Sequence, residues 1–179
     1  MRPSGDVKSK MKLLVFVIAA LLKASLIDAV NLDSHHQTAG FSGEKKERLE
    51  QISVFRLKCF KKGFKFEKFD VTTEDGYILT LFRIPGLLNE EPSEEAKPPV
   101  LFQHGINLSA VSWIHHSPEV APAFVAARAG YDVWLTNHRG NLFSQEHTTL
   151  VPGKDDKKYW NFSFQEMADY DLPAIIELI

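Results

Sequence analysis

The order of elements legible along the chain predicts an α/β fold, a largely parallel sheet with an antiparallel hairpin at its edge. Three observations carry that expectation. Glu74-Asp75-Gly76 places an Asp-Gly turn between two strand-like runs, the strongest short-range hairpin signal. Two short apolar runs, 100–103 and 131–135, read as buried strands. A helical segment over 118–129, closed by Gly130, lies between them, as a crossover between parallel strands requires.

Taken in order, the chain opens with Arg2, Lys8, Lys10 and Lys12 ahead of the unbroken apolar run 13–22. Ten apolar residues at ~1.5 Å per residue cover about half a bilayer core, too little for a spanning helix. With small residues at Ala24, Ser25 and Ala29, the pattern predicts a secretory signal peptide over residues 1–29. Its removal takes away five positive and two negative charges, carrying the formal net charge from −2 to −5. Residues 30–46 are polar and read as a flexible lead-in, and 47–179 as the folded domain. Leu49, Ile52, Val54, Phe55 and Leu57 give 47–58 a helical stripe. Phe64, Phe66, Phe69 and Val71 suggest a strand before the Asp-Gly turn, and 77–84 its return partner, stopped by Pro85-Gly86. Residues 87–97 form an acidic loop. Ser163 with Glu166 three residues on is a capping box, opening a helix that runs to Ile179 with a kink at Pro173.

Composition narrows the function. Basic residues number 21 and acidic 23, so no basic stripe points to nucleic acid. The single cysteine, Cys59, excludes an internal disulfide and a thiolate metal cluster, and burial is the expected state of its thiol. No histidine spacing matches a metal site, so neither metal nor other cofactor is expected. Two glycosylation triplets, Asn107-Leu108-Ser109 and Asn161-Phe162-Ser163, agree with a secretory route.

Five blocks then form a pattern: Val71–Leu79 with Arg83-Ile84-Pro85; Gln103-His104-Gly105-Ile106; Ala129–Leu135; Asn137-His138-Arg139-Gly140-Asn141; and Phe162–Ala174. In order and spacing they resemble the acid lipase family, which includes gastric and lysosomal acid lipases, within the α/β-hydrolase superfamily. The resemblance covers about Glu50 to Ile179. It implies an α/β-hydrolase sheet and hydrolysis of lipid carboxylic esters, triacylglycerols or sterol esters, by a Ser-His-Asp triad. A lipid ester or a lipid interface is then the implied partner, in a secreted or lysosomal/vacuolar setting. Such hydrolases carry the serine on a G-x-S-x-G elbow after a central strand. No such elbow occurs in these 179 residues, and no strand follows the last helix. The fold expected is therefore a truncated α/β-hydrolase sheet lacking the nucleophile strand and the C-terminal half. All three triad members lie beyond it, and the 179 residues alone are expected to be inactive. The alternative is a secreted non-catalytic lipid-binding or decoy protein derived from a lipase.

The resemblance also implies one catalytic element within the chain. The position after His-Gly supplies an oxyanion-hole amide, which falls on the backbone N–H of Ile106, with His104 and Gly105 shaping the turn. The family commonly has leucine there; isoleucine offers the same amide. His104 is expected as a turn residue rather than a base. Ser109, Ser112 and Ser144 lack elbow geometry and are not expected nucleophiles, and Asp169 and Asp171, two apart on a helix, are expected to face different ways. Because a glycan beside Ile106 would block substrate entry, Asn161 is the expected glycosylation site and Asn107 is not. Peptide mapping of the secreted protein is expected to find glycan on Asn161 alone; glycan on Asn107 would argue against an oxyanion role for its neighbour.

Overall fold

The computed structural model describes residues 14–16, 41–91 and 95–179. The expected leader lies outside them except for strand β1, Leu14–Phe16, which pairs in parallel with Val100–Phe102. Helix α1 runs over Phe41–Lys61 and starts within the stretch expected as a lead-in, earlier than its apolar stripe suggests. The extra turns are built from Glu44, Lys45, Lys46 and Glu47, all good helix formers that carry no apolar signal. Its end is fixed at Gly63, where φ is 86° and the Phe64 amide returns to the Cys59 carbonyl at 3.0 Å.

Strands β2 (Glu67–Thr72) and β3 (Tyr77–Ile84) form the expected antiparallel hairpin, in register from Glu67↔Arg83 to Thr72↔Ile78. Phe64 lies outside the strand and makes an isolated bridge to Leu87. The turn needs glycine at Gly76: φ is 100°, and a Cβ there would stand 2.6 Å from Thr148 Oγ1. Strand β4 (Pro99–Phe102), helix α2 (Pro122–Arg128) and strand β5 (Asp132–Leu135) follow. The helix expected from Pro118 starts four residues later. Pro122 has no N–H to bond the Pro118 carbonyl, so it occupies a first turn instead of an interior one.

Within the loop expected after β5, strand β6 (Glu146–His147) pairs with the start of β3, and a single helical turn, α3, covers Asp156–Tyr159. The last helix has three parts: α4 (Phe164–Glu166), a π-helical turn over Met167–Asp171, and α5 (Leu172–Leu178). Both capping-box bonds between Ser163 and Glu166 are present. Pro173 lacks an N–H for the Asp169 carbonyl and its ring crowds that group, and the turn before it is wide, with the Leu172 amide bonded to Met167 O, five residues back.

The sheet order is β1-β4-β5-β3-β2, with β6 beside β3. β4 and β5 are parallel, while β3 runs antiparallel to β2, β5 and β6. β3 is buried on both faces, and its side chains alternate between two cores. Phe82 and Ile84 join Phe55 of α1 and Phe124 of α2 on one side. Leu79 and Leu81 join Trp134, Tyr159 and Ile175 on the other. Helices thus cover both faces, the three-layer arrangement of an α/β fold. Cys59 is buried in the first core, and burial pushes its thiol up to about 12, which keeps it protonated and inert.

Candidate active site

Parallel β4 and β5 end at the same edge of the sheet, and antiparallel β3 begins there. Three of the sequence blocks therefore meet at one place: the turn after β4, the turn after β5 and the hairpin turn before β3. The first is a tight turn in which the Leu108 amide bonds Gly105 O at 3.2 Å. Asn107 holds a left-handed φ of 59° at its third position, which suits asparagine. Ile106 precedes it and is 64% exposed. Its amide donates to no acceptor among the described residues. A free N–H on an ordered turn at the carboxyl end of a central strand is able to bind an anionic oxygen.

His104 anchors this turn from below. It is buried, with Nδ1 2.8 Å from Gly105 O. Its Nε2 faces the backbone amide of His138 and the Asn141 side-chain amide, each at 3.2 Å. Since both of those groups donate, Nε2 accepts and the proton sits on Nδ1, pointing at the Gly105 carbonyl. Burial holds the imidazole below its ordinary value. With its lone pair occupied, His104 is a fixed strut and not a free base.

The second turn is clamped by its own asparagines. The Asn137 side chain accepts from Ala110 N at 3.0 Å and donates to Thr80 O at 3.0 Å, tying the segment after the Gly105 turn to β3. Asn141 bonds Asn137 Oδ1 at 3.1 Å and receives the Phe143 amide at 2.9 Å. Ser144 is 1% exposed, donates to Asn137 O and accepts from Thr80 N, both at 2.9 Å. Ser109 caps the short 3₁₀ helix Ala110–Trp113. Neither hydroxyl is placed against a histidine that could activate it.

Beside this clamp lies an ionic hub. Arg139, 2% exposed, bonds Asp75 through both terminal nitrogens at 2.5 and 2.9 Å. Its Nε reaches Asp171 Oδ1 at 2.8 Å, and Tyr77 lies under the guanidinium at 4.0 Å. Burial draws the Asp75 carboxyl upward, but the Arg139 and Thr73 hydrogen bonds outweigh it and hold it below the usual range. Asp171 is fully buried, and there burial prevails over Arg139 and raises the carboxyl. Asp171 and Asp169 face different ways: Asp169 is exposed and accepts from Gln165 at 2.8–2.9 Å.

His138 stacks edge-on against His104 at 4.7 Å and contacts the Gln103 amide. Burial, the His104 ring and the Arg139 charge hold His138 down to about 4. Its 3.9 Å approach to Asp171 is thus a contact with a neutral ring near neutral pH. An unfolded histidine binds its proton below about pH 6.5, whereas this one stays neutral until about 4. The stability it contributes is complete above pH 6.5 and falls by about 3 kcal/mol as the pH drops through that window. Urea unfolding at neutral pH and near pH 4.5 is expected to show the loss, and His138→Gln to flatten it.

The two sequons both lie on the surface, at Asn107 within the exposed turn and at Asn161 before the capping box. Among the described residues no group of three or more His, Cys, Asp or Glu side chains could hold a metal ion. Of the residues expected from sequence, Ile106, His104 and Gly105 come together on one turn. Asn137, Asn141, Ser144 and the Arg139 hub were not expected as a unit. Their sequence signals are the Asn137–Asn141 block itself and the density of small polar residues and one arginine directly after an apolar strand.

The chain is similar in sequence to known proteins. Residues 58–117 match a family model described as a partial alpha/beta-hydrolase lipase region, and residues 98–179 match one for the alpha/beta hydrolase fold. Human lipase member K is 48% identical over 117 residues, covering 65% of this chain and 29% of that protein. Rat gastric triacylglycerol lipase is 46% identical over 117 residues, with the same shares. Mouse lipase member M is 45% identical over 118 residues, 66% of this chain and 28% of the relative. The chain spans less than a third of the length of these relatives.

Proposed function

For a chain whose fold is the N-terminal part of a lipase-type α/β-hydrolase domain, we propose that the whole protein hydrolyses carboxylic esters of lipids, with triacylglycerols or sterol esters as substrates. The observation that carries the proposal is the unbonded Ile106 amide, held on an ordered turn at the end of β4. In this reading the amide donates to the substrate carbonyl oxygen as it gains negative charge. His104 and Gly105 fix the amide's direction, because the Nδ1–H···O bond to Gly105 and the two bonds received at Nε2 leave the turn little freedom. A second donor, the nucleophilic serine, its histidine and its acid come from residues outside these 179, which contain no G-x-S-x-G. The protein reaches its substrate by the secretory route.

The reaction would pass through an acyl-serine. The serine oxygen bonds to the carbonyl carbon while the histidine takes its proton. The alcohol leaves with that proton, and water then releases the fatty acid. The residues described here take no proton in either step; their part is charge stabilisation. The test is turnover of a triacylglycerol emulsion and of a sterol ester by the mature protein, before and after a phosphonate serine reagent. Hydrolysis abolished by the reagent is expected. Absence of hydrolysis with both substrates would leave the non-catalytic reading.

A further inference from the structure

We propose that the outward face of α1 is the surface by which the protein adsorbs to an anionic lipid layer. The proposal rests on the lipid-ester reading and adds to it the place of contact. A surface helix ordinarily turns one apolar stripe to the core and polar residues to water. α1 departs from that pattern. Among its described side chains it buries only Ile52, Phe55 and Cys59. Leu49, Val54, Leu57 and Phe60 remain 52%, 45%, 50% and 60% exposed. At about 100° per residue these four spread over roughly 140° of the outer surface, away from the buried stripe.

The charges between them favour one kind of partner. Six basic side chains stand on α1 against three acidic ones, although the chain as a whole is net negative. Lys46, Arg56, Lys58 and Lys61 interleave with the exposed apolar residues and form no ion pair among the described residues. Exposed Phe and Leu interspersed with unpaired Lys and Arg fit an acyl-chain boundary beneath negative headgroups or fatty-acid carboxylates. No helix of the described residues is long and apolar enough to cross a membrane, so contact would be in the plane of the interface.

Position supports the same use. Near its first turns α1 sends Arg48 to Glu146 of β6, which pairs with Ile78 at the start of β3. This is the edge of the sheet that carries the Gly105 turn, so lipid held at the Leu49 end of α1 would lie on the side where Ile106 is exposed, while the Leu57 and Phe60 end extends toward the opposite edge, near the Phe64–Leu87 bridge.

The experiment is co-sedimentation of the mature protein with phosphatidylcholine vesicles, with and without phosphatidylserine, alongside turnover of a water-soluble short-chain ester. Two variants are compared, Leu57→Ser/Phe60→Ser and Lys58→Glu/Lys61→Glu. The wild type is expected to prefer the anionic vesicles. The first variant should weaken that adsorption about 10-fold. The second should weaken it about 30-fold at low salt, with little change on neutral vesicles. Soluble-ester turnover and melting temperature should stay at wild-type values in both. Undiminished adsorption by the variants, or equal wild-type binding to both vesicles, would overturn the proposal. So would a fall in melting temperature, which would mean that the face packs against protein. Adsorption that the variants abolish, in a protein that hydrolyses no ester, would uphold the surface and refute the hydrolase reading.

Discussion

Arg139→Met is expected to destabilise the protein by about 3–5 kcal/mol, the cost of leaving a buried charge without its partner. Two carboxylates depend on this guanidinium. Asp75 belongs to the hairpin turn and Asp171 to the last helix, so the arginine joins both ends of the fold at the turn after β5. Asp171 is fully buried and has no other cation among the described residues. Loss of the arginine forces it to take up a proton or draw water into the core. Lysine should recover only part of the loss, since one ammonium cannot reproduce the paired bonds to Asp75 and the Nε bond to Asp171. Adding Asp171→Leu to Arg139→Met should restore part of the stability, because the unpaired charge is then removed along with its partner. Urea unfolding measures all three. A shift below about 1 kcal/mol for Arg139→Met would show that the hub is not a structural centre.

A second large effect is expected in the reaction itself. Ile106→Pro removes the amide hydrogen at the one position where the turn tolerates proline, the second residue of a four-residue turn. Turnover should fall by about 100- to 1000-fold, equivalent to roughly 2.7–4 kcal/mol of transition-state stabilisation. KM and melting temperature should change little, since the side chain is exposed and the turn geometry is retained. Ile106→Leu and Ile106→Ala keep the amide and should keep most of the activity. Turnover of the proline variant within a few-fold of wild type would remove Ile106 from the site.

The parts of this architecture that are local in sequence were legible there. The Asp75-Gly76 turn announces the hairpin, and the runs at Val100 and Val133 announce two buried strands. The Ser163–Glu166 box announces the start of the last helix, with both bonds formed. Other features depend on distance and were not. Arg139 meets Asp75 from 64 residues away and Asp171 from 32, and nothing near any of the three marks the meeting. The first turns of α1 carry charge and no apolar stripe, so a search for periodicity passes over them. Pro122 also hides the true start of α2, because Pro118 offers the same first-turn signal four residues earlier.

The candidate site divides in the same way. The turn at His104–Ile106 was singled out by the resemblance of its block to known lipases, and its order in the folded chain comes from bonds the sequence does not show. The tautomer of His104 was not, because it follows from donors on His138 and Asn141 that only the folded chain brings to Nε2. The depressed His138 likewise follows from burial against His104 and Arg139, which no single-residue signal reports.

The most direct measurement is to label the full-length protein with a fluorophosphonate, follow lipid-ester hydrolysis, and map any modified residue by peptide mass spectrometry. Stoichiometric loss of lipid-ester hydrolysis is expected, with one labelled serine in a G-x-S-x-G elbow and Ser109, Ser112 and Ser144 unmodified. Label on any of those three serines, or hydrolysis that persists without any labelled serine, would contradict it.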